Sequence, residues 1–258
     1  MSSTIAKGAV AQAQATSSTT ATAASPATAA LQPVQTKQTP LAQGARHAFP
    51  AALAGLFMAR FSALVADPVS TMATTLPLTA ALQVGYAVLC LPAAGSQGAK
   101  AARKPKQRPG ENPKKRAGVD GTGPNAIATA ILALLLSLLV TPFLHAALVL
   151  FGAPFLTHGA HTLLCAAHLA VLALLPLFYV HGVDAPAWAA VGGFAAPLDE
   201  TSGGLAGAVA GAWLGAVPIP LDWDREWQKW PVTILCGLYG GYVLGRVLGG
   251  TLVWGKRF

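Results

Sequence analysis

From Ile127 to Phe151 the chain reads IATAILALLLSLLVTPFLHAALVLF, twenty-five residues without an aspartate, glutamate, lysine or arginine. A helix needs about twenty mainly apolar residues to cross the hydrocarbon core of a bilayer, and this run exceeds that. Five more apolar stretches accompany it, so the spans are expected near 48–66, 69–91, 126–149, 161–180, 203–220 and 231–254. Only helices and closed barrels satisfy every backbone group in lipid, and runs of this length read as helices. The fold class predicted is therefore an all-α membrane protein, a bundle of about six transmembrane helices. Composition agrees: 53% of residues are hydrophobic and 10% charged, more apolar surface than a water-soluble core of this size absorbs. The fifth stretch is mostly Gly and Ala and is expected to lie surrounded by other helices.

The chain divides into two parts by composition. Residues 1–47, rich in Ala, Ser, Thr, Gln and Pro, lack sustained apolar periodicity and read as a flexible tail. Residues 48–258 form the transmembrane domain, interrupted by a polar loop at about 92–125. No signal-peptide pattern opens the chain, so the first span is expected to act as the targeting signal. The formal net charge of +8 is concentrated in that loop, where Lys100, Arg103, Lys104, Lys106, Arg108, Lys114, Lys115 and Arg116 face only Glu111. A basic run between spans, without interleaved aromatics, sets topology; nucleic acid is not an expected partner. The loop is placed in the cytosol, and with six spans both termini follow it there. Cys90, Cys165 and Cys236 all fall in apolar runs without C-x-x-C spacing and read as reduced packing residues.

Two glycine stripes run along the last two spans at every fourth residue: Gly203, Gly207, Gly211 and Gly215, then Gly237, Gly241, Gly245 and Gly249. Glycine lets helix backbones approach closely, so the stripes pack either on each other or on a partner's helix. Between them lies GAWLGAVPIPLDWDREWQKWP, Gly211 to Pro231. Pro218 and Pro220 end the fifth helix, and Trp223, Trp227 and Trp230 stand among Asp222, Asp224, Arg225, Glu226 and Lys229. Tryptophans at a helix end anchor in the headgroup layer, but a short loop this mixed in charge also has the composition of a protein interface. Asp222 and Asp224 read alternatively as metal ligands of a phosphotransferase. The remaining acids are scattered, and no further carboxylates converge on the pair. His158, His161 and His168 lack the additional ligands of a zinc site and suit helix capping or a wet interface. Arg246 is close enough to a helix end to snorkel, which leaves Arg60 as the better candidate for an internal polar contact. No phosphate-binding loop or nucleophile elbow occurs, and no cofactor or metal is expected.

The stretch from Gly211 to Pro231 closely resembles the most diagnostic segment of the PIG-F family of GPI-anchor biosynthesis proteins, through Trp213, Pro218, Pro220, Asp222, Trp223, Asp224, Trp227 and Trp230. FGAP at Phe151 to Pro154 stands at the start of the fourth helix, as in that family. The likeness is strong over about 205–245, moderate over 126–180 and absent from the tail and the basic loop. It implies a multi-pass protein of the endoplasmic reticulum membrane, without catalytic activity of its own. The implied partners are the GPI ethanolamine-phosphate transferase catalytic subunits, which act on the lumenal side, together with membrane lipid. Gly211, Trp213, Gly215, Pro218, Pro220, Asp222, Trp223, Asp224, Trp227 and Trp230 are the expected partner-binding residues. Competing readings are an autonomous phosphotransferase built on Asp222 and Asp224, and a small transporter using Arg60 and the glycine-rich helices.

Overall fold

The computed structural model of the protein describes residues 31–96, 125–221 and 223–257. The basic run at 100–116, residues 1–30 and Asp222 lie outside the described residues. Six helices long and apolar enough to span a membrane follow one another: α1 Pro40–Ala66, α2 Pro68–Cys90, α3 Ala126–Leu150, α4 Gly159–His181, α6 Glu200–Ala216 and α7 Val232–Gly249. A short helix, α5 Ala185–Gly192, links α4 to α6. No strand occurs among the described residues, so the architecture is the all-α membrane bundle that the apolar runs predict.

Local chemistry sets the helix starts. Thr39, Asp67, Asn125 and Asp199 occupy N-cap positions and accept hydrogen bonds from the first free backbone N–H groups of α1, α2, α3 and α6. Pro40 and Pro68 sit at first-turn positions, where the missing N–H has no consequence. Asp67 does double duty, since its own N–H donates to Ala63 O at 2.8 Å and closes α1. The hairpin turn between α1 and α2 is thus a single capped residue.

The first helix begins at Pro40, eight residues before the apolar run that marks it in sequence. The helix accommodates Arg46 in this added stretch because its guanidinium pairs with Glu200 of α6. Ahead of the helix, Val34 is buried and its N–H donates to Asp199 Oδ2 at 2.8 Å. Lys37 Nζ donates to Val88 O at 2.6 Å, and partial burial lowers its pKa from the usual lysine value.

The central helix is α4, with 78% of its most apolar window buried, against 22% for α3. On α3, Leu132, Leu135, Leu139 and Phe143 face outward, as a lipid-facing helix requires. Pro176 has no N–H to offer the preceding turn of α4, and the helix widens into a π turn at Ala170–Leu174. The carbonyl of Leu172 there accepts from Gln83 Nε2 at 2.5 Å, tying the central helix to α2. The fifth span, α6, is not surrounded as expected: 22% of its window is buried, and Val209, Trp213, Leu214 and Val217 face outward. Its glycines make intimate contact with one neighbour, α7, which leaves the opposite face free.

A polar seam crosses the apolar core between α2 and α7. His168 Nε2 donates to Met72 O (3.1 Å), so in the neutral ring Nδ1 is the acceptor for the Tyr239 hydroxyl at 2.8 Å. Tyr239 in turn takes a hydrogen bond from Thr79 at 2.8 Å. His168 is therefore a buried core residue, contrary to the capping or interfacial role its spacing suggested: the Met72 carbonyl and Tyr239 satisfy both ring nitrogens. At the far end of the seam Glu200 accepts from Tyr86 (2.7 Å) and Arg246 (2.8 Å) through Oε2, and from Arg46 through Oε1. The Arg246 guanidinium lies 4.2 Å from the Tyr86 ring centre and 4.9 Å from that of Phe49. Arg246 is 2% exposed and does not snorkel; a carboxylate and two aromatic faces hold it inside.

Candidate functional site

The glycine stripes bring α6 and α7 into backbone contact along their whole length. A Cβ at Gly211 would meet Gly237 O at 2.0 Å, at Gly207 it would meet Gly241 O at 2.1 Å, and at Gly215 Thr233 O at 2.3 Å. The two stripes therefore face each other, and Gly211 and Gly215 have their missing side chains filled by α7. On the outward side of this seam runs an apolar groove of about 480 Å³, flanked by Leu214 and Leu244 and closed at one end by Pro218 and Trp227.

The loop after α6 is built from short pieces: a 3-10 turn at Ile219–Leu221, an irregular stretch over 223–225, and a second turn at Glu226–Gln228. Gln228 holds it together. Its Nε2 donates to Pro218 O at 2.8 Å, and its Oε1 accepts from the Arg225 N–H at 3.1 Å, so one side chain joins both limbs of the loop. Asp224 adopts φ +50°, a left-handed conformation that aspartate tolerates better than most residues. Glu226 and Lys229 form an ion pair on the outside.

The tryptophans divide by role. Trp227 and Trp230 pack against the core cluster, and the turn carrying Trp227 touches α1. Trp223 is 52% exposed and stands edge-on to Trp227, ring centres 5.8 Å apart. Trp213, one turn before the end of α6, is 72% exposed. Pro220 is exposed and Pro218 half-buried at the mouth of the groove. Of the expected residues, Gly211, Gly215, Pro218 and Trp227 line the groove, Trp223 joins them through its contact with Trp227, Trp230 packs inward, and Trp213, Pro220 and Asp224 are exposed. Asp222, the other half of the proposed carboxylate pair, lies outside the described residues. Among the described residues no three of His, Cys, Asp and Glu converge to hold a metal ion. His158 and His161 are neighbours, rings 4.9 Å apart, but His158 makes no capping hydrogen bond at the start of α4.

Sequence reasoning missed two features. Gln228 gives no signal of its own, because its role depends on where Pro218 and Arg225 come to rest. The Arg46–Glu200–Arg246 cluster had one: in a six-span chain the start of the first helix, the start of the fifth and the end of the sixth all fall at the same membrane face.

No solved structure matches this chain. Among named proteins, the glycosylphosphatidylinositol anchor biosynthesis protein 11 of Neurospora crassa is 65% identical over 100% of this chain and 96% of its own length. The protein of the same name from Aspergillus fumigatus is 46% identical over 84% of this chain and 82% of its own. The human GPI ethanolamine phosphate transferase, stabilizing subunit, is 34% identical over 44% of this chain and 53% of its own. The profile of the GPI biosynthesis protein family Pig-F covers residues 48–250, from within α1 to the last residues of α7 and so across every span described above: the chain belongs to the PIG-F family.

Proposed function

We propose that this protein is a non-catalytic, stabilising subunit of GPI ethanolamine phosphate transferases in the endoplasmic reticulum membrane. The region from Gly211 to Trp230 is its partner-binding surface. The observation that carries this reading is the construction of the loop: Gln228, Trp227 and Trp230 fix it from within, while Trp223 and Trp213 present large aromatic faces outward. Pre-set aromatic anchors of this kind dominate binding energy at protein interfaces. The names of the relatives point to the same partner. The basic run at 100–116 supports placing both termini in the cytosol and the tryptophan loop in the lumen.

The test compares Trp223→Ala and Trp213→Ala with Asp222→Asn and Asp224→Asn, reading transferase abundance and GPI phosphoethanolamine content in the same cells. The tryptophan truncations are expected to weaken association by about 2 kcal/mol, so that abundance and product fall together. The Asn variants are expected to be milder. An Asn variant that assembles normally with the transferase yet blocks phosphoethanolamine addition would favour the phosphotransferase reading instead.

A further inference from the structure

Three arginines lie within the spanning helices, and they are treated differently. Arg46 and Arg246 share the carboxylate of Glu200. Arg60 has no carboxylate partner among the described residues; its Nη2 donates to Thr74 Oγ1 and its Nε, at 3.4 Å, to Thr75 Oγ1. Thr74 donates onward to the carbonyls of Ser70 and Thr71, at 2.9 and 3.1 Å, so its hydroxyl is held as an acceptor for the guanidinium. This arrangement orients the guanidinium and leaves its charge unanswered, with the Nη1 edge of the fork free of protein acceptors among the described residues. On the inner side there is little space: a pocket of about 10 Å³, lined by Arg60 itself with Thr71, Thr75 and His168, has room for about one water molecule and for no larger anion. Whatever neutralises Arg60 must come from outside the bundle.

Depth decides what that is. Arg60 lies six residues from the end of α1, about 9 Å along the helix, at the end of the bundle that carries the tryptophan loop. An arginine side chain starting there reaches the headgroup layer, where lipid phosphates are the abundant anions. A planar fork with one free edge matches two phosphate oxygens better than an ammonium would. We propose that Arg60, oriented by Thr74 and Thr75, forms a binding site for the phosphate of a membrane-lipid headgroup. This goes beyond the partner-binding reading and does not depend on it.

The test uses the purified full-length chain in mild detergent, with native mass spectrometry after addition of phosphatidic acid, diacylglycerol of the same acyl chains, or inorganic phosphate. Phosphatidic acid should remain bound and diacylglycerol should not, and inorganic phosphate in millimolar excess should not displace the lipid. Arg60→Gln should reduce retained phosphatidic acid about tenfold, Arg60→Lys and Thr74→Val by less, and Arg225→Gln, a change to an exposed arginine at the same end, not at all. Equal retention by Arg60→Gln, equal loss in Arg225→Gln, or equal binding of diacylglycerol would overturn the site as non-specific lipid association. Displacement by inorganic phosphate would overturn the lipid assignment in favour of a free-anion site. Should Arg60→Gln not stay monodisperse, Thr74→Val decides, because it keeps the charge and removes its orientation; unchanged retention there also sinks the proposal.

Discussion

At Glu200 one carboxylate answers two guanidinium groups, and both the acid and Arg246 are almost fully buried. Removing the shared carboxylate leaves both guanidinium groups charged without a partner, and breaking a buried pair in this way typically costs about 3–5 kcal/mol. Glu200→Gln is therefore expected to lower the thermal midpoint of the purified protein sharply and to reduce its abundance in cells. Arg60→Gln, at a half-buried position with only hydroxyl partners, should leave the midpoint nearly unchanged; equal midpoints for the two variants would show that the cluster contributes little. Individual residue types were legible in sequence here, but their pairings were not. Arg246 reads as a snorkelling residue and His168 as an interfacial one because a linear string shows the distance to a helix end and not the Tyr86, Tyr239 or Glu200 that stands opposite.

The α6–α7 hairpin depends on glycine in a way that can be tested with a single methyl group. A Cβ at Gly211 would meet Gly237 O at 2.0 Å, whereas one at Gly240, on the same helix pair, meets nothing within 4 Å. Gly211→Ala is expected to push the helices apart and lower the thermal midpoint, losing packing that in lipid is the main source of helix association. Gly240→Ala should be neutral or slightly stabilising, since alanine costs a helix about 1 kcal/mol less than glycine. Identical effects at the two positions would show that the stripes do not hold the pair together. The elements themselves were plain from the sequence: five of the six spans begin within three residues of their expected starts, since length and apolarity alone define them. The start of α1 was not, because it rests on tertiary partners that no local pattern displays; α5 escaped notice although Asp184 and Pro186 mark its start and Trp188 folds back locally on Gly182 and Phe178. At the candidate site, the glycine spacing and the tryptophan loop stood out in sequence, while the division of the tryptophans into inward and outward sets did not.

For the molecule as a whole, alternation of six helices puts the turn at Asp67, the loop after α3 and the tryptophan loop at one face. The approach to α1, the stretch after Cys90 and the end of α7 lie at the other, where Leu198 N–H donates to Lys256 O at 2.8 Å and Lys37 N–H to Cys90 O at 2.7 Å. If the basic run at 100–116 holds its face in the cytosol, a glycosylation acceptor inserted with a spacer beside Ser96 stays unmodified and one beside Asp224 is modified. The opposite pattern would place the tryptophan loop away from the lumen and remove the proposed docking geometry. The ion cluster at this second face, formed by Arg46, Glu200 and Arg246, also has a consequence in time. Translation delivers Arg46 first, Glu200 some 150 residues later and Arg246 last, on a glycine-rich helix whose mean hydropathy is only 1.4. A nascent chain that stops before α7 carries the balanced pair of Arg46 and Glu200, and an α7 that fails to dock leaves the Arg246 guanidinium without its carboxylate. Docking of α7, the last span to be made, is therefore the step that takes the Arg246 guanidinium out of the lipid and into the cluster.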